Sequence, residues 1–130
     1  MEKKEILIVD DDIVTLSMLK TTLAGAGYEV LTASNGLEAI RLSKEHLPFL
    51  IILDIMMPDI DGGEVAGNLK KDPKTKDIPI IFLSSLISEN EQKADHRKDF
   101  VSLLAKPYNR TKLLDEIRKY YYGTDSRKLD

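Results

Sequence analysis

Four short runs of aliphatic and β-branched residues recur along the chain, at 6–9, 28–33, 50–53 and 78–83. A weaker fifth, at 100–105, is interrupted by Ser102. The runs are continuous rather than alternating, as in strands buried on both faces. The segments between them carry helical spacing: Leu16, Leu19 and Leu23 fall at i, i+3, i+7, and so do Leu114, Ile117 and Tyr121. Start signals agree, because Asn35 with Glu38, Asp61 with Glu64 and Ser88 with Glu91 each place a capping residue three before a glutamate. Gly27 closes the first helix and Pro73 follows the third. The order βαβαβαβαβα predicts a parallel sheet with helices on both faces. The helical stretch at 89–99 has Ala94 as its sole apolar residue and so has almost no face to bury. The end of the chain, GTDSRKLD, lacks any apolar period, which divides the chain into a domain over 1–122 and a polar tail over 123–130.

Composition narrows the class. A chain of 130 residues suits one domain with a real core, and a 42% hydrophobic share is that of an ordinary globular protein. A net charge of −3 argues against a nucleic-acid surface. The absence of cysteine removes disulfides and thiolate metal sites. No run is long enough for a signal peptide or a membrane span, so the expectation is a soluble cytoplasmic protein.

In an open parallel α/β sheet, ligands bind beyond the carboxyl ends of the strands. After the first run come Asp10, Asp11 and Asp12; after the third, Asp54; after the fourth, Ser84 and Ser85; after the fifth, Lys106 and Pro107. Two acids from the first loop together with Asp54 carry −3, which is costly in a partly desolvated site. A hard divalent cation plus Lys106 would bring the cluster to neutrality. Mg²⁺ suits few carboxylates, retained waters and phosphate oxygens. A cation, a lysine and a hydroxyl around one aspartate are what an incoming phosphoryl group requires, with Asp54 as nucleophile.

These residues resemble the receiver domain of two-component response regulators, over residue 4 to about 122. The family pattern is an acidic pair after strand one, an Asp after strand three, a Ser or Thr after strand four and Lys-Pro after strand five. Here it reads Asp10-Asp11, Asp54 with MMPDIDG after it, Ser84, and Lys106-Pro107, with 30 residues from Asp54 to Ser84 and 22 from Ser84 to Lys106. The resemblance implies a flavodoxin-like (βα)5 three-layer sandwich with a five-stranded parallel sheet of order 2-1-3-4-5. It implies that Asp54 accepts a phosphoryl group from a histidine kinase or phosphotransfer protein. Mg²⁺ would be held by Asp11, by Asp10 mainly through water, by Asp54 and by the Met56 backbone carbonyl. Lys106 and the Ser84 hydroxyl would contact the phosphoryl oxygens, and the Lys106–Pro107 bond would be cis. The protein would then be a signalling switch that catalyses its own phosphorylation and dephosphorylation rather than a metabolic enzyme, with an unnamed downstream target and no membrane or nucleic-acid contact of its own.

Asp12 then reads as the cap of the first helix, Asp59 and Asp61 as turn and cap residues, and His46 and His96 as surface residues. Met56 and Met57 read as loop packing apart from the Met56 carbonyl. In the 120–122 tyrosine run, one or two rings would pack. Val14 and Met18 are candidate docking contacts on the first helix. Two departures from the family pattern bear on output. The switch pair falls on Ser84 and Leu103, where the family usually has Tyr or Phe in place of the leucine, and Asp99-Phe100 replaces the usual Gly-Ala. A leucine cannot report motion at Ser84 as a rotating ring does. One alternative is a receiver fold that binds partners without being phosphorylated. Another is a haloacid-dehalogenase-like phosphatase, whose D-x-D-x-[TV] motif is matched by Asp10, Asp12 and Val14. The phosphatase reading lacks a late acidic motif and leaves Asp54 unexplained.

Overall fold

The computed structural model describes residues 4–84, 101–106 and 108–129. Strands β1 (Glu5–Val9), β2 (Glu29–Ala33), β3 (Leu50–Asp54), β4 (Ile80–Ser84) and β5 (Val101–Ala105) form one parallel sheet in the order β2-β1-β3-β4-β5. The helices among the described residues are α1 (Ile13–Gly25), α2 (Gly36–His46), α3 (Gly62–Lys71) and α4 (Arg110–Leu129).

Strand pleating divides the apolar runs between two cores. Leu7, Val9, Ile51, Leu53, Ile80 and Phe82 point to one face and pack with Ala39 of α2 and with Val65 and Leu69 of α3. Ile6, Ile8, Leu50, Ile52, Ile81 and Leu83 point to the other and pack with Leu19 and Leu23 of α1 and with Leu113 and Ile117 of α4. Successive side chains of a strand alternate between faces, so a strand covered on both sides must be apolar throughout. The predicted fold class is the observed one.

The helix starts are built by the predicted residues. Asp12 accepts the Val14 amide, Asn35 the Glu38 amide and Asp61 the Glu64 amide. Gly27 has φ +97°, the left-handed geometry that glycine adopts without strain at a helix end. Other details differ from expectation. β4 begins at Ile80, because Ile78 is drawn into the turn that follows α3, its amide donating a hydrogen bond to the Thr75 carbonyl. β2 is an edge strand, and Glu29 and Thr32 stand exposed rather than buried. In the last helix Leu113 and Ile117 are fully buried, with Leu114 and Tyr120 flanking them half-buried. Backbone helix continues through the polar end of the chain to Leu129. The helical stretch expected at 89–99, with its Ser88 cap, together with Ser85, His96, Asp99, Phe100 and the Pro107 peptide bond, lies outside the described residues.

Candidate functional site

Asp10, Asp54 and Lys106 arrive at the carboxyl rim through the sheet's own hydrogen bonding. The ladder runs one residue past the strands: the Asp10 amide donates to the Ala33 carbonyl, the Ile55 amide to the Leu83 carbonyl and the Lys106 amide to the Ser84 carbonyl. Asp10, Asp54 and Lys106 are thereby anchored at the ends of β1, β3 and β5, on one rim of the sheet. Asp54 stands opposite Leu83, and Ser84 opposite Ala105.

Asp10, Asp54 and Ser84 are buried, at 1%, 6% and 1% of full exposure, whereas Asp11 is open to solvent. Carboxylate oxygens of Asp10, Asp11 and Asp54 lie within 4.8 Å of one another. The Lys106 ammonium donates to Asp10 Oδ2 at 2.8 Å and sits 3.5 Å from Asp54 Oδ2. Asp10 Oδ1 accepts the Asp12 amide at 2.9 Å, and Asp54 Oδ1 accepts the Met56 amide at 3.4 Å.

The electrostatics follow from this geometry. Burial, then the negative charge of Asp10, holds the Asp54 carboxyl above its ordinary range against the opposing pull of Lys106. Burial works to lower the Lys106 pKa, but its hydrogen bond to Asp10 and the charges of Asp10 and Asp54 outweigh it, and the ammonium is held more firmly than usual. Three carboxylates and one ammonium leave an excess of two negative charges. Hard oxygen donors with one open side fit a small divalent cation that keeps several waters.

The Asp12 carboxylate, one residue beyond Asp11, is turned to the helix start instead of the cluster. It accepts from the Thr15 hydroxyl at 2.9 Å and from the Val14 amide at 3.0 Å, and these bonds lower its pKa. The second acid of a D-x-D phosphatase motif is therefore spent on a helix cap.

Other residues fall as follows. Met57 packs on the α2/α3 core, but the Met56 side chain is 58% exposed, which corrects its reading as loop packing. Leu103 lies opposite Phe82 and packs half-buried against the same core. His46 is at the surface, 3.7 Å from Glu5. Two contacts had no signal in the sequence. Asp59 reaches across to α2 and accepts the Gly36 and Leu37 amides, each at 2.9 Å. Tyr108, just after the lysine turn, shares a hydrogen bond of 3.1 Å with Thr22 of α1. Both join residues far apart in the chain.

Among the described residues, no helix is long and apolar enough to cross a membrane. Comparison with known proteins places the chain. A family model, the response regulator receiver domain, matches residues 6–118. The polar-differentiation response regulator DivK of Brucella anthropi is 29% identical over 117 residues, covering 90% of this chain and 95% of that protein. The chemotaxis response regulator CheY4 of Vibrio cholerae superposes with a TM-score of 0.80 at 31% identity, covering 92% of this chain and 99% of that one. The receiver domain of the sensor histidine kinase PA1611 from Pseudomonas aeruginosa PAO1, solved with magnesium coordinated in its active-site cleft, superposes with a TM-score of 0.78 at 25% identity, covering 92% of this chain and 98% of that one. A family description that runs from the first strand into the last helix applies to the domain as a whole, and this chain belongs to the response regulator receiver domains.

Proposed function

We propose that the protein is a phosphorylation-activated switch in which Asp54 accepts a phosphoryl group from a phosphohistidine of a sensor kinase or phosphotransfer protein. The observation that carries this reading is the convergence of Asp10, Asp11 and Asp54 within 4.8 Å, with the Lys106 ammonium against two of them. A carboxylate oxygen of Asp54 forms the new P–O bond while the P–N bond breaks and the imidazole leaves as the neutral base once protonated. Mg²⁺ held by Asp10, Asp11, Asp54 and the Met56 carbonyl would supply the positive charge that offsets the charge spread over the transferring oxygens. Lys106, 3.5 Å from Asp54, would pair with a phosphoryl oxygen. The Ser84 hydroxyl, at the end of the neighbouring strand, would orient on a second. Burial of Asp54 strengthens these pairings and limits attack by bulk water on the acyl phosphate.

The donor would dock on the start of α1. Ile13, Val14 and Met18 are 76%, 65% and 55% exposed, an unusual apolar concentration immediately after the acidic loop.

Intact mass after incubation with Mg²⁺ and acetyl phosphate tests the reading. Wild type gains one phosphoryl group and Asp54→Asn gains none. If neither gains it, the measurement is repeated with beryllofluoride, which forms a stable acyl-phosphate mimic. Failure there as well would favour a receiver fold that binds partners without being phosphorylated.

A further inference from the structure

Helix α2 is capped from two places. An α-helix leaves its first amides without partners inside the helix. In α2, the Asn35 side chain accepts the Glu38 amide, and the Gly36 and Leu37 amides go to Asp59, which belongs to the loop between β3 and α3. That loop follows Asp54 directly. It is closed at its base, where the Gly62 amide donates to the Ile55 carbonyl at 2.8 Å and a Cβ on Gly62 would lie 2.6 Å from the Asp54 carbonyl oxygen. At its far end the approach is equally close, since a Cβ on Gly36 would collide with the Ile60 side chain and come within 3.0 Å of the Ile60 carbonyl and of Val65. Met56 lies between these two anchors, its amide 3.4 Å from Asp54 Oδ1. A bond of that length is at the edge of hydrogen bonding, so a shift of a few tenths of an ångström decides whether it exists.

We infer that Asp59 is a positioning residue for the phosphoacceptor site: by holding the amide pair of α2 it fixes the loop that sets the Met56 backbone against Asp54. The inference rests on the function proposed above and adds a residue to it. The two carboxylate oxygens take one amide each at equal distance, a two-point attachment that restrains both translation and twist of the loop. The α2 N-terminus favours a negative group in that position, and the two amide bonds hold the Asp59 carboxyl ionised to lower pH than usual. Two residues, Met57 and Pro58, separate Met56 from Asp59, and Met57 and Ile60 pack half-buried against the core, so the loop has little slack in which a displacement at Asp59 can be absorbed before it reaches Met56.

The test is Mg²⁺ affinity, measured by calorimetry with Mg²⁺ alone on folded proteins well below their melting temperatures. Asp59→Ala weakens binding about tenfold, the lower end of the effect of removing a group that orients a metal ligand. Asp59→Glu, which keeps the charge but misplaces the oxygens, weakens it as well, and Asp59→Asn, which keeps one acceptor, falls between. Asn35→Ala removes the other cap of α2 without touching the loop, so it lowers the melting temperature and leaves Mg²⁺ affinity unchanged. Wild-type affinity in both Asp59→Ala and Asp59→Glu would overturn the positioning role. Loss in Asp59→Ala and Asp59→Asn with wild-type affinity in Asp59→Glu would overturn it too, in favour of a charge effect. An equal loss in Asn35→Ala would reduce Asp59 to a helix cap. A wild type that binds no Mg²⁺ would overturn the proposed function, and the inference with it.

Discussion

Replacing the phosphoacceptor with its neutral isostere is expected to make the metal-free protein more stable. In wild type, ionised Asp54 is repelled by Asp10 and attracted by Lys106. Taking an effective dielectric of about 20, a like charge at the 4.8 Å limit costs about 3.5 kcal/mol and the ammonium at 3.5 Å returns about 4.7 kcal/mol. Asp11 adds a second, solvent-screened repulsion, so the Coulomb contributions nearly cancel and the desolvation of a carboxylate only 6% exposed decides the sign. Asp54→Asn should therefore gain on the order of 1 kcal/mol at pH 7 in EDTA, a rise of about 3–4 °C in melting temperature for a domain of this size. The pH dependence has a definite direction. The folded pKa of Asp54 lies above its unfolded value, so the folded state binds more protons between the two and wild-type stability from this group falls as pH rises through that interval. The advantage of the asparagine should be present at pH 7 and vanish below the unfolded carboxylate range. At a hundredfold excess of Mg²⁺ over its dissociation constant, wild type gains about 2.7 kcal/mol. The variant, short of one carboxylate ligand, gains less, and the order of stabilities reverses. Urea melts at two pH values, with and without Mg²⁺, measure all of this. A variant less stable than wild type in EDTA at pH 7 would show that the Lys106 attraction exceeds the cost of burial, and the reasoning would fail.

Lys106→Ala should cost about 2–4 kcal/mol in EDTA, because it strands the 1%-exposed Asp10 charge, with part of the loss restored by Mg²⁺ and phosphorylation from acetyl phosphate slowed; unchanged urea stability would contradict the pairing. Ile52→Ala, in the centre of the sheet and packed against α1 and α4, should cost about 2–5 kcal/mol, and a loss well under 1 kcal/mol would mean the site can collapse around the missing atoms. Met18→Asp should leave stability within about 0.5 kcal/mol while slowing phosphoryl transfer from a phosphohistidine donor; an unchanged transfer rate, read by phosphate-affinity gel, would remove α1 from the docking surface.

Much of this molecule was legible along the chain. Burial on both faces forces a strand to be apolar at every position, so β1, β3 and β4 announce themselves, and β2 and β5 do so more faintly because an edge strand buries less. Asp12, Asn35 and Asp61 cap helices through bonds to amides two or three residues away, and such local chemistry leaves a local signature. The end of α2 shows where local signals run out. Leu47 takes the left-handed conformation at φ +48°, a place where glycine would have been the signal.

The sequence by itself determined the alternation of strands and helices, the caps, and the order in which Asp10, Asp11, Asp54, Ser84 and Lys106 are delivered to strand ends, because all of these depend on residue type and short spacing. Tertiary structure alone decided what those residues do to one another. Whether Lys106 lies nearer Asp10 or Asp54, which acid is buried and which exposed, and which way the Asp54 pKa moves depend on distances between chain segments that no spacing encodes. The clearest case is Asp59, whose composition says turn and whose position makes it the cap of a helix that begins 23 residues earlier. Loop and helix meet only once the sheet has stacked β1 between β2 and β3, and it is that stacking which turns a local turn residue into a long-range one.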